Sequence, residues 1–362
     1  MKSNESAPFK LDFSTINYSS INWSVDDEHG VISTINNKNF VYEDYEEDKI
    51  YVLNFKNKPF LEISSPNVLQ LKLNNQELLT YNVDHSMAII DLEKKEKILT
   101  IKSDCLCKEV KCIAYDSNKI IFGYTNGKNI ISIDRKTKKE KFYYGVLGPI
   151  QSIVFDEKSL FVAGLNDLRE FNIETEELIS SFITFDEEDL NYPHHLLLDE
   201  NFLISSYDSN KIGIWSRNKQ NLLRFVKVEN EISSLDLSSS YLVVGTHGQP
   251  GLIDIFDTLS GENIYTFDNH ENCILGLKWK VSNSSAILTT ASVDGTCKKF
   301  KISIKDDHRF KRCSHCNKLL IEISTKYCGR CLNRIYCSKE CQNDDWKNHK
   351  NHCKSHIKNI KK

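Results

Sequence analysis

From the N-terminus to about residue 304 the chain carries short apolar stretches, alternating or continuous and rich in β-branched residues, which turn residues separate. That pattern predicts strands and hairpins. In one unit, residues 111–115 predict a first strand, 119–123 a second, 129–134 a third and 139–144 an outer strand, with a turn at Asn126-Gly127. Another unit reads 233–237, 241–245, a turn at His247-Gly248, then 252–257. Apolar residues at helical spacing are not sustained anywhere upstream of about residue 305.

The units repeat. An apolar or aromatic residue ends a strand and a polar or acidic residue often follows, at Ile90-Asp91, Ile133-Asp134, Phe171-Asn172, Trp215-Ser216, Phe256-Asp257 and Phe300-Lys301, with a weaker copy near Val52. Successive markers lie roughly 38 to 44 residues apart, the length of a four-stranded propeller blade. Small residues precede the turns, at Ala163-Gly164, Ser205-Ser206, Val244-Gly245 and Ala291-Ser292, where inner strands would crowd around an axis.

The last unit carries the best match to a known family. Its stretch Thr290-Ala291-Ser292-Val293-Asp294-Gly295-Thr296 precedes Lys298-Lys299-Phe300, and His270 lies upstream. This resembles the WD-repeat propellers over roughly residues 9–303. The resemblance implies an all-β, WD-repeat-like propeller over 9–304, and the seven markers suggest seven blades. In that family a histidine, a serine or threonine, an aspartate and a tryptophan form a hydrogen-bonded set. Here His270, Ser292 or Thr290, and Asp294 would supply three members. Phe300 replaces the indole, the other units lack the histidine, and Trp-Asp never occurs. The seventh unit ends at its third strand near 302–304, so the alternating stretch Phe9-Lys10-Leu11-Asp12-Phe13 is expected to supply the outer strand and clasp the ring.

Candidate chemistry sits beyond the repeats. The chain has 12 cysteines, and seven of them fall in the last fifty residues. Cys313 and Cys316 form a C-x2-C pair, as do Cys328 and Cys331; Cys337 and Cys341 form C-x3-C, and His349 and Cys353 form H-x3-C. Zinc takes four sulfur or nitrogen ligands in a tetrahedron, so eight such residues make two closed, structural sites. A segment this small needs such staples to fold. A short helix over 343–352 would present His349 and Cys353, four apart, on one face. His315, His352 and His356 are spare histidines, expected to be solvated.

Tyr336 before the C-x3-C pair, then Gln342, Trp346, His349 and Cys353, make the module similar to the MYND finger, over residues 313–353 with a basic tail at 354–362. The gap between the first two pairs is long for that family. The resemblance implies interleaved sites: Cys313, Cys316, Cys337 and Cys341 on one zinc, Cys328, Cys331, His349 and Cys353 on the other. It also implies a role in binding proline-containing peptides of partner proteins, with Gln342 and Trp346 forming the groove.

Charge and composition add bounds. Net charge is -3, but residues 305–362 hold 15 basic and 6 acidic residues, leaving 32 basic and 44 acidic upstream. Such asymmetry keeps a nucleic-acid partner as a second reading. No apolar run reaches the roughly 18 to 20 residues that span a bilayer, and the first ten residues lack a signal core, so an intracellular protein, cytoplasmic or nuclear, is expected. No nucleotide, hydrolase or metalloprotease motif occurs, and no enzyme is expected; a methyltransferase would need a large mixed domain around the finger. The leading expectation is a protein-interaction adaptor. Cys105, Cys107 and Cys112 read as loop or strand thiols, His194-His195 as a blade edge, and the acidic run 43–48 as a solvated loop.

Overall fold

The structure is a computed structural model. It describes residues 10–305 apart from 23–29, 37–38, 45–48, 55–58, 65–67, 75, 103–109, 126–128, 166, 183–192, 209, 218–219, 239 and 283–284, and beyond them 314–315, 326–328, 334–336 and 338–360. Phe9, Cys105, Cys107, the Asn126-Gly127 turn and most of the acidic run fall outside these residues.

Strand β1 spans Lys10–Asn22. Six blades of four consecutive strands follow. The first is β2 (Gly30–Ile35), β3 (Asn39–Asp44), β4 (Lys49–Asn54) and β5 (Pro59–Ser64). The second is β6 (Val68–Leu73), β7 (Glu77–Asn82), β8 (Ser86–Asp91) and β9 (Glu96–Lys102). The third is β10 (Val110–Tyr115), β11 (Lys119–Tyr124), β12 (Asn129–Asp134) and β13 (Glu140–Tyr144). The fourth is β14 (Ser152–Phe155), β15 (Ser159–Gly164), β16 (Asp167–Asn172) and β17 (Leu178–Phe182). The fifth is β18 (Pro193–Leu198), β19 (Phe202–Tyr207), β20 (Lys211–Ser216) and β21 (Asn221–Lys227). The sixth is β22 (Ile232–Ser238), β23 (Tyr241–Thr246), β24 (Gly251–Asp257) and β25 (Asn263–His270). A further four-stranded sheet is composite: β26 (Ile274–Val281), β27 (Ser285–Ser292) and β28 (Thr296–Lys305) take β1 as their outer strand. Every ladder is antiparallel, and β1 runs along β28 from Lys10 opposite Lys305 to Asn22 opposite Thr296, with a register shift between Asp12 and Asn17.

The repeat marker has a physical cause. The side chain that ends the third strand accepts two backbone N–H groups of the turn that follows. Asp91 holds those of Glu93 and Lys94, Asp134 those of Lys136 and Thr137, Asn172 those of Glu174 and Thr175, and Asp257 those of Leu259 and Ser260. Four residues after each marker the backbone turns left-handed, at Lys95, Lys138, Glu176 and Gly261. A second set, Asn74, Asp116, Asp156 and Asp199, caps the turn between first and second strands in the same way.

The core lies between sheets rather than inside any one of them. Leu79, Tyr81 and Ile89 of the second blade interlock with Ile113, Ile120 and Phe122 of the third. Val243, Ile255 and Phe267 of the sixth meet Trp279, Leu288 and Phe300 of the composite sheet. Because each sheet is apolar on both faces, none is stable alone, and burial of about 25 cal/mol per Å² accrues only as neighbours stack. Polar contacts fix the stacking. Arg135 forks onto both oxygens of Glu77 at 2.9 and 2.8 Å, and Arg217 reaches Asp156 one blade back. Asp236 accepts the Trp279 N–H at 2.6 Å and the Lys278 ammonium at 2.8 Å. The approach is close enough to demand small residues. A Cβ on Gly245 would lie 2.5 Å from Ser234 Oγ and 2.7 Å from Ile274 Cγ2, and one on Gly251 only 2.1 Å from the Asn272 carbonyl.

The His270 set forms, with one choice settled. His270 Nδ1 lies 2.8 Å from Asp294 Oδ2, and Nε2 lies 2.8 Å from Thr290 Oγ1. Thr290, not Ser292, takes the ring; Ser292 donates to the Asn272 carbonyl and accepts the Asp294 N–H. Asp294 accepts only, so Nδ1 carries the proton and Thr290 donates to Nε2. Phe300 packs against Phe267, centroids 4.8 Å apart, in place of an indole hydrogen bond. The fifth blade holds a related arrangement that sequence reading missed. There His194 meets Asp208, and Trp215 Nε1 donates to Ser205 Oγ at 2.9 Å.

Candidate metal centre

Beyond the propeller, two short strands pair: β29 (Lys326–Tyr327) with β30 (Ile335–Tyr336). Helix α1 follows over Lys339–Ile360, longer at both ends than the expected 343–352. Its start is capped: Ser338 Oγ accepts the Cys341 N–H at 3.2 Å, and Glu340 lies in the first turn. At its far end the chain offers no glycine or proline to stop it before residue 360.

Spacing of four along α1 places Cys341, Asp345, His349 and Cys353 in one row. Asp345, His349 and Cys353 are buried. Asp345 anchors the row to β30, because the Tyr336 phenol donates to its carboxylate at 2.8 Å while Arg334 sits 3.8 Å away. Burial, and then the Asp345 carboxylate, push the Tyr336 phenol up, so it stays a donor at neutral pH. Cys328, one residue past β29, is turned toward the same row.

Cys328, His349 and Cys353 converge, their ligand atoms within 4.8 Å of one another. The two sulfurs are 3.9 Å apart, and His349 Nε2 is 3.3 Å from Cys328 Sγ. On a tetrahedral zinc, with bonds of about 2.3 Å to sulfur and about 2.05 Å to nitrogen, those edges would be about 3.8 and about 3.5 Å. Two soft thiols and an imidazole at this spacing, all buried, fit zinc in both chemistry and size. Cys341 is half-buried and stands outside the group. Cys313, Cys316, Cys331 and Cys337 lie outside the described residues. His315 is a surface residue 4.0 Å from Asp344.

Gln342 and Trp346 occupy the adjoining row of α1 and are half-buried. The Trp346 ring meets His349 edge to face, centroids 5.9 Å apart. The indole is thereby held against a member of the metal group with part of its surface open.

Fold and site together define a β-propeller protein with a Cys/His metal-binding finger. Residues 297–353 match the family model of the MYND finger, so the chain carries a MYND-type, zinc-binding finger after its propeller. The match begins at Cys297 within β28, where the thiol is fully buried in the propeller and pairs across the ladder with Ala291. No curated protein matches the chain in sequence. Among solved structures, the crystal structure of the computationally designed Ika8 protein is similar in fold, with a TM-score of 0.55 at 14% identity over 77% of this chain and 99% of that one. Propeller and finger are both modules typical of protein interaction. Among the described residues no helix is long and apolar enough to cross a membrane.

Proposed function

We propose that the chain is a non-enzymatic interaction adaptor, intracellular, in which the propeller docks partner proteins and the finger binds their short proline-containing motifs. The observation that carries this is the Gln342–Trp346 pair, four apart on α1, with the indole braced by His349 and partly open. A proline-containing segment is already extended, so laying it on an indole costs little ordering entropy, and the glutamine amide offers both a donor and an acceptor to its backbone.

The finger in this reading holds two zinc ions, one on Cys313, Cys316, Cys337 and Cys341 and the other on Cys328, Cys331, His349 and Cys353. The exclusion of Cys341 from the described trio supports that partition. The composite sheet acts as the seventh blade of a WD-repeat-like ring, supported by the His270 set within it. The test is affinity capture with the full chain and with Trp346→Ala, zinc content measured on both. Loss of a proline-motif partner set at unchanged zinc content is the expected result. An unchanged partner set would overturn the groove. The basic residues of 305–362 support a second reading, nucleic-acid association, which predicts salt-sensitive retention on DNA.

A further inference from the structure

We propose that the propeller axis holds a small oxyanion of the phosphate class, bound between Lys72 and Lys111. The first strands of four successive blades, β6, β10, β14 and β18, line one cavity of about 430 Å³, which places it on the axis. A neighbouring cavity of about 380 Å³ shares Lys111, Gln151, His194 and His195 and extends to β22.

The larger cavity is a donor site. Its described lining contains two lysines, two histidines, Gln151 and Ser152, and no carboxylate; the Gln70 amide N–H groups are spent on the Val110 and Lys111 carbonyls. The acidic residues of the axis, Asp208 and Glu231, border the second cavity, and Asp208 is engaged by His194. Lys72 is exposed to the channel, and the protein around it lowers its pKa. Among the described residues no carboxylate pairs with it. Two ammonium groups facing one channel without a counter-charge make it locally positive, and that field draws in an anion.

Neutral groups complete the donor set. Ser152 Oγ accepts the Leu196 N–H, leaving its own O–H to donate. His195 is kept neutral, its pKa lowered to about 4 by burial and then by His194 and Lys72, and a neutral imidazole still donates one N–H. Two cations and several neutral donors around one small volume suit a multiply charged, many-oxygen acceptor better than a monocarboxylate. The surrounding propeller is net acidic, so the positive axis is a local feature.

Calorimetric titration of the full chain with inorganic phosphate tests this, with a phosphate monoester as a second arm. One saturable site per chain is expected, and tighter binding of the monoester would mark a phosphorylated small molecule as the occupant. Lys72→Met and Lys111→Met should each weaken binding about 10- to 100-fold, the loss of one charge-assisted hydrogen bond. Lys347→Ala, on the exposed face of α1, should bind as the parent does. Lys72→Gln, which removes the charge but stays polar, serves if Lys72→Met fails to fold. No saturable heat with the parent chain, or undiminished binding by Lys111→Met together with a folded Lys72→Met, overturns the proposal.

Discussion

Replacing Asp294 with alanine isolates what the His270 set contributes. The carboxylate accepts four hydrogen bonds, from His270 Nδ1, the Glu271 N–H, the Thr296 N–H and the Thr296 hydroxyl. The His270 side chain is 0% exposed, and without the carboxylate its ring N–H keeps only the Thr296 hydroxyl, 3.2 Å away, as an acceptor. Trading a charged acceptor for that longer neutral one in a dry site costs about 1–2 kcal/mol. The Thr296 and Glu271 groups lie nearer the surface and can turn to water, at about 0.5 kcal/mol each. The sum is about 3 kcal/mol, which for a domain this large lowers the melting temperature by about 6 °C. Differential scanning fluorimetry or calorimetry reads this directly. His270→Ala should cost a similar amount, and the double variant should cost little more than either single one, because both remove the same network. Additive losses, or Asp294→Ala melting within a degree of the parent, would refute the reasoning.

Three further outcomes follow from other parts of the molecule. Burial holds the His195 and His270 imidazoles below their ordinary value, so the unfolded chain binds more protons than the native one as pH falls below about 6.5. Stability should therefore drop between about pH 6.5 and 4, by up to about 3 kcal/mol for His195, and denaturant melts of His195→Gln should show a shallower slope. Gly251→Ala would drive a Cβ into the Asn272 carbonyl, and chemical denaturation should report a loss of about 2 kcal/mol or more. Cys328→Ser, or a strong chelator, should release metal and melt α1, seen as reduced helical circular dichroism with the β signal retained; helicity indifferent to chelation would contradict a metal-held finger.

The strands of the third and sixth blades fall within a residue of where alternation and turn residues put them, because those cues are local. The choice between Thr290 and Ser292 was not legible. They are two apart on one strand face, and only the position of His270 decides between them. The helix outran its expected limits because its N-cap is Ser338, outside the ligand pattern, and because residues 353–360 hold no glycine or proline. Spacing marked Cys328, His349 and Cys353 as candidate ligands, but Cys328 sits in a different pair from the other two, and only the resemblance to the MYND finger put the three on one metal. The axial donors were not legible. Lys72, Lys111 and His195 belong to three different strands, each ordinary in isolation, and only ring closure brings them together.

Pairing Lys10 with Lys305 means that the earliest-made strand of the propeller must wait for the latest-made one. During synthesis β1 would be a single ribbon without a home while six blades stack behind it, and β28 would present a raw hydrogen-bonding edge until the two meet. Trimming β1 would remove the outer strand of the composite sheet. It would also turn a sealed ring into an open one, ready to recruit a strand from another molecule.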